Sequence, residues 1–139
     1  MPAELRPNIF PAVRYRDADA ALEFLKSAFG AQEKDVFRDD AGLIRHAELR
    51  FGAGIVMLGQ YSEEGWMGGD PPRPLASTVS LYIVVGDPDE HCARARAAGA
   101  QIVRELVDEP YGSREYSARD PEGNLWSFGT YDPYGVPGD

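Results

Sequence analysis

The sequence has one cysteine, Cys92, in 139 residues. That excludes an internal disulfide framework and leads to the expectation of a reducing, cytoplasmic setting. It is short of positive charge. Fourteen Lys and Arg stand against 23 Asp and Glu, for a net charge of -9 and a pI of about 4.7. Nucleic-acid binding needs a basic footprint, so this balance argues against such a partner. No apolar run approaches a membrane span, and the first residues lack a basic-then-apolar targeting pattern. A phosphate loop is also missing. Gly68-Gly69-Asp70-Pro71-Pro72 is a turn and linker cluster, because no Gly-Lys-Ser/Thr follows it.

What is there is ordinary for a soluble globular chain, at 43% hydrophobic and 27% charged residues. The length fits one compact unit, or two small modules sharing a core. The most informative stretch is Ser113 to Tyr131. Arg114 to Arg119 alternates and carries Tyr116. Asp120-Pro121-Glu122-Gly123 supplies turn chemistry, with proline fixing φ and glycine free to take φ > 0. Asn124 to Tyr131 resumes with Leu125, Trp126, Phe128 and Tyr131, a β-favouring set. This predicts a hairpin.

The first half predicts a strand over 8–15, then a helix over 18–29 capped by Asp17 and ended by Gly30. Strands over 32–38, 43–51 and 55–59 follow. The second half repeats that order. It has a strand over 79–85, a helix from Asp87-Pro88 to Gly99 with Glu90 at a capping-box position, a strand over 101–107, and the hairpin. Gly30-Ala31-Gln32 matches Gly99-Ala100-Gln101; Arg45, Arg50 and Gly54 match Arg114, Arg119 and Gly123, at an offset of about 70. These coincidences indicate an internal duplication. The expected plan is a single domain over 1–139, with a first module over about 8–60, a linker over 61–77, and a second module over about 78–131. The linker is rich in Gly, Pro and acids; Trp66 and Met67 are its bulky apolar residues.

Two βαβββ modules in this length resemble the vicinal oxygen chelate superfamily of glyoxalases, bleomycin resistance proteins and dioxygenases. The stretch Tyr111 to Tyr131 resembles the ending of the bleomycin-resistance-like members most closely. The resemblance implies an α+β fold of cupped mixed sheets with helices on the outer faces. It implies little about activity, since the fold carries many chemistries. Family enzymes hold a divalent metal at four cup-facing positions bearing His, Gln or Glu. Here those positions fall at Phe10, Met57, Ser80 and Ser127. Phenylalanine offers no donor, methionine is soft, and serine hydroxyls are poor ligands. The resemblance therefore implies no metal cofactor.

Strand alternation sorts the other residues. Ala47, Leu49 and Phe51 are expected to pack under a helix, which turns His46, Glu48 and Arg50 into the cup. Glu115, Ser117 and Arg119 form the matching row. Ser80, Tyr82 and Val84 face the cup from one strand; Leu125, Ser127 and Gly129 face it from the last. The candidate ligand-binding set is Phe10, His46, Glu48, Met57, Trp66, Ser80, Tyr82, Glu115, Ser117, Leu125 and Ser127. Apolar and aromatic groups with a few polar ones make the composition of a small-molecule site, although a cup filled by its own side chains has the same composition. His46 and Glu48 read as an ordinary hydrogen-bonded pair. His91 is expected to be solvated and Cys92 to lie in the core. Neither forms a nucleophile pair with an evident base, and no catalytic residue is assigned.

The functional expectation is a metal-free protein that binds a cationic, aromatic small molecule, with drug sequestration as its use. The alternative is a lyase or dioxygenase with non-standard ligands such as His46, Glu48 and Glu115. A homodimer is the expected assembly, with Trp66 and Met67 set against a neighbouring chain.

Overall fold

The computed structural model describes residues 7–62 and 79–135. The linker residues Trp66 and Met67 lie outside them. Ten elements follow in order: β1 (Ala12–Tyr15), α1 (Ala18–Phe29), β2 (Gln32–Arg38), β3 (Ile44–Phe51), β4 (Gly54–Gln60), β5 (Leu81–Val84), α2 (Pro88–Ala97), β6 (Gln101–Asp108), β7 (Arg114–Arg119) and β8 (Leu125–Gly129). They form two four-stranded mixed sheets, in the orders β1-β4-β3-β2 and β5-β8-β7-β6. In each, the first strand runs parallel to the last, and the other pairs are antiparallel. The chain divides into two compact units. One is Met1–Lys26 with Gly30–Arg73; the other is Ser27–Phe29 with Pro74–Asp139.

The local chemistry explains the helices. Asp17 accepts from the Ala20 N–H at 3.0 Å, and Asp87 accepts from the Glu90 N–H at 3.1 Å. Each satisfies one of the donors that every helix start leaves open. Gly30 sits at φ 76°, a left-handed conformation that glycine adopts without a Cβ penalty, and it ends α1. Ala18, Ala21, Leu22, Leu25 and Ala28 recur at helical spacing and are buried. In α2 the buried positions are Pro88, Cys92 and Ala95. The expectation of a core Cys92 holds, at 3% exposure.

In the first unit, Ala47, Leu49, Val56 and Leu58 form the buried face of the sheet. Asp19 pairs with Arg38, and Lys26 with Glu33, which ties α1 to β2. The pairing between β2 and β3 shifts between Phe37 and Arg38. This bulge places Arg45 and His46 side by side on the sheet face opposite Ala47 and Leu49, so that Ile44 returns to the core at 0% exposure. In the second unit, Tyr116, Ala118, Trp126 and Phe128 are the buried face, all at 0%. Phe29 closes on Phe128 at 4.8 Å and on Trp126 at 5.5 Å between ring centroids. Burying side chains of this size contributes about 1.5–3 kcal/mol each.

The hairpin of the last two strands is organised by Asp120, which is 5% exposed. One carboxylate oxygen accepts from the N–H groups of Glu122 and Asn124, both at 3.0 Å. The other accepts from the Trp126 indole at 3.1 Å. The carboxylate thus joins the turn to the largest core side chain. Gly123 takes φ 87° in the turn, a left-handed conformation that glycine adopts without a Cβ penalty.

Several expectations need correction. The first strand begins at Ala12, because Pro7 and Pro11 remove ladder donors before it. β5 is shorter than 79–85, and Val79 and Ser80 are exposed ahead of it. His91 is not solvated. Its Nε2 lies 3.0 Å from the Phe29 carbonyl and its Nδ1 lies 2.5 Å from the Tyr116 hydroxyl. A carbonyl only accepts, so Nε2 carries the proton, and Nδ1 accepts from Tyr116. The imidazole also packs against Phe128, tilted, at 4.3 Å between ring centroids. Burial is the main cause of its lowered pKa.

Candidate ligand-binding site

Each sheet has one apolar, buried face and one face that carries the polar residues singled out from the sequence. On the second unit that face is built across four strands in register. Tyr82 pairs with Ser127, Ser127 with Ser117, and Ser117 with Arg104. Ser117 and Ser127 hydroxyls meet at 2.7 Å. One row further on, Glu115 pairs with Gly129. A Cβ built on Gly129 would lie 2.5 Å from Glu115 Cγ and 2.9 Å from the Tyr82 hydroxyl. The glycine is what lets the carboxylate and the phenol come over β8.

Glu115 is 8% exposed. The Tyr111 hydroxyl lies 3.1 Å from both its carboxylate oxygens, and Arg104 stands 3.6 Å away. Arg104 also pairs with Glu109. Tyr82 donates to the Tyr131 carbonyl at 2.8 Å, and burial pushes its phenol above the usual value. The rings of Tyr111 and Tyr131 meet edge to face at 6.0 Å. A buried carboxylate is therefore framed by three tyrosines. Tyr111, Tyr131 and Arg104 were missed from the sequence. The signal was present for Tyr111, which stands four residues before Glu115 across a glycine turn.

The first unit's face is different. His46 Nε2 lies 2.9 Å from Glu48, and Lys34 holds the other Glu48 oxygen at 2.8 Å. The His46 hydrogen bond first, and then that from Lys34, hold the Glu48 carboxyl below its ordinary pKa. The pair expected from the sequence is thus present, with a lysine added. Met57 pairs with Glu48 and Ala12 in the same row, and is half-buried. Phe10 precedes β1 and is 44% exposed. Leu125 pairs with Arg119 at the start of β8.

Phe10 and Met57 in one unit, and Ser80 and Ser127 in the other, do not fit a divalent ion. They offer one thioether and two hydroxyls, one of which is engaged with Ser117. Among the described residues, no group of three or more His, Cys, Asp or Glu side chains comes together to hold a metal. No helix among them is long and apolar enough to cross a membrane.

The paired βαβββ units and their sheet order define a fold with known relatives. The chain belongs to the glyoxalase/bleomycin resistance protein/dioxygenase superfamily, whose family model matches residues 10–128. It is 36% identical to TioX from Micromonospora sp. ML1; the crystal structure of TioX aligns with a TM-score of 0.70, over 88% of this chain and 97% of that one. An uncharacterized protein of Mycobacterium bovis is 32% identical over 132 residues, 93% of this chain and 86% of its own length. Lactoylglutathione lyase from Agrobacterium tumefaciens, at 23% identity, a TM-score of 0.66, and coverage of 94% of this chain and 97% of its own, shares the fold.

Proposed function

We propose that the protein is a metal-free small-molecule binding protein of the bleomycin-resistance-like kind, which sequesters a cationic aromatic ligand. The observation that carries this reading is the Glu115 carboxylate, buried beneath Tyr82 and Tyr111 on a sheet face. A carboxylate meets a cation, and tyrosine faces attract cations and stack on aromatic rings. Poor donors at Phe10, Met57, Ser80 and Ser127 support binding over metal chemistry. The net charge of -9 favours a cationic ligand at long range. The ligand set is Tyr82, Glu115, Ser117, Leu125 and Ser127 on the second unit, with Phe10, His46, Glu48 and Met57 on the first. Trp66, expected in the set from the sequence, lies outside the described residues. The protein works as a cytoplasmic homodimer.

Isothermal titration against a panel of cationic aromatic drugs tests this. Saturable binding is expected, with a loss of about tenfold in Glu115→Gln, which keeps the shape and removes the charge. No heat and no thermal shift with any compound would sink the reading. Elemental analysis of purified protein separates it from a lyase or dioxygenase. Stoichiometric metal together with a raised melting temperature would favour the enzyme. Light scattering tests the dimer, for which a mass of 15.3 kDa is the result that refutes it.

A further inference from the structure

The first unit carries a cleft of about 220 Å³ that the reading above does not use. Arg14, Arg45, Gln60, Tyr61 and Ser62 line it, with Asp39, Leu43 and Ile44. We propose that this cleft binds a small oxyanion group, a carboxylate or a phosphate, between the guanidinium groups of Arg14 and Arg45.

Three observations carry it. The chain is strongly acidic, yet two arginines line one small cleft, and the Arg14 guanidinium lies over Gly59. Each offers five N–H donors in a planar fork suited to carboxylate and phosphate, so an existing partner leaves donors over. Second, the site is shaped by what Gly59 lacks. A Cβ there would lie 2.2 Å from Arg14 Nη1 and 2.8 Å from the Arg45 carbonyl. Arg14 lies across the glycine, and the bulge in the β2–β3 pairing brings Arg45 to the same face. Third, the polar wall is already fixed. Gln60 donates to the Arg16 carbonyl and accepts from the Ala18 N–H, so its amide is held in place. Asp39, the acid on the lining, accepts two backbone N–H bonds on one oxygen, from Ala41 at 2.9 Å and Leu43 at 3.0 Å. Those bonds hold it to the turn. The volume is below the roughly 300–1,000 Å³ of drug-sized pockets, which fits a single small anionic group.

The test uses the full chain with inorganic phosphate and, separately, acetate, each against chloride at matched ionic strength. Arginine Nε–H and backbone amide signals are followed by NMR. A saturable shift at Arg14, Arg45, Tyr61 and Ser62 is expected with at least one anion. Saturation by phosphate alone or by acetate alone supports the site and identifies its oxyanion. Arg45→Gln lies on an exposed position, so it leaves the fold intact; it should weaken binding about tenfold, the loss of one charge-assisted fork. Arg96→Gln, on α2, should leave it unchanged. Shifts no greater than those with chloride would overturn the proposal, as would equal titration of the Arg45→Gln variant. Signals of Tyr82 and Glu115 report the drug-binding face separately, so either reading can fail without the other.

Discussion

The two units share one plan but fill it differently. Four residues after the helix cap, the first unit has Ala21 and the second has His91. On the strand beneath, facing the last strand, the first has Ala47 and the second has Tyr116. Ala21 and Ala47 are 2% and 0% exposed, so that core contains only methyl groups at these places. The second unit instead hydrogen-bonds a half-buried imidazole to a buried phenol. Their outer faces differ in the same sense. Gly59 lies under an arginine, and Gly129 lies under a carboxylate and a phenol. A duplicated backbone has kept its glycine on the last strand while the group above it changed charge. Backbone geometry constrains the glycine; only chemistry constrains what covers it.

The sharpest way to break the comparison is the hairpin. Phe51 stands in the first unit where Asp120 stands in the second. Asp120→Ala removes the acceptor for Glu122, Asn124 and Trp126, and should destabilise the protein by about 3 kcal/mol in urea melts. A loss below about 1 kcal/mol would mean that the turn holds itself.

Next come the glycines. In Gly59→Ala the new methyl meets the Arg45 carbonyl, which is backbone, and a cost of about 2 kcal/mol is expected. In Gly129→Ala the two nearest atoms belong to the Glu115 and Tyr82 side chains, with the Arg114 carbonyl further off at 3.2 Å, and the cost should be about 1 kcal/mol. Ligand affinity should follow the reverse order, because Gly129→Ala displaces the carboxylate. Equal effects in both assays would erase the distinction.

The smallest effect is a pH dependence that His91 gives the second unit. Burial lowers the folded pKa of His91, so the unfolded chain takes up a proton that the folded one resists. Stability should therefore be intact above about pH 6.5 and fall as pH drops below it. Hydrogen exchange should locate the loss in α2, β7 and β8. His91→Gln should remove that loss. An unchanged slope in that variant would assign the effect elsewhere.

The plan was legible because it rests on local signals. Asp17, Gly30 and Asp87 announce helix ends by cap chemistry, and the alternation of Ala47 and Leu49 with His46 and Glu48 announces the faces. The Asp-Pro-Glu-Gly turn fixed the hairpin. His91 was illegible because its partners, the Phe29 carbonyl and Tyr116, come from distant elements, and its helical neighbours are charged. The carboxylate site was half legible. Alternation turns Glu115 and Tyr82 to one side, but Tyr111 and Tyr131 arrive from segments flanking the strands, where no period applies.

The parallel pairing of β1 with β4 and β5 with β8 also sets an order of assembly. Ala12 meets Met57, and Leu81 meets Trp126, only after the whole intervening module has been spanned. The antiparallel neighbours meet across short turns, and closing a short loop costs less entropy than closing a long one. The hairpins should therefore form early, and the two four-residue parallel strands should dock last. They are also the strands a brief opening would release first, at the edge of each sheet, without unfolding the turn that Asp120 holds.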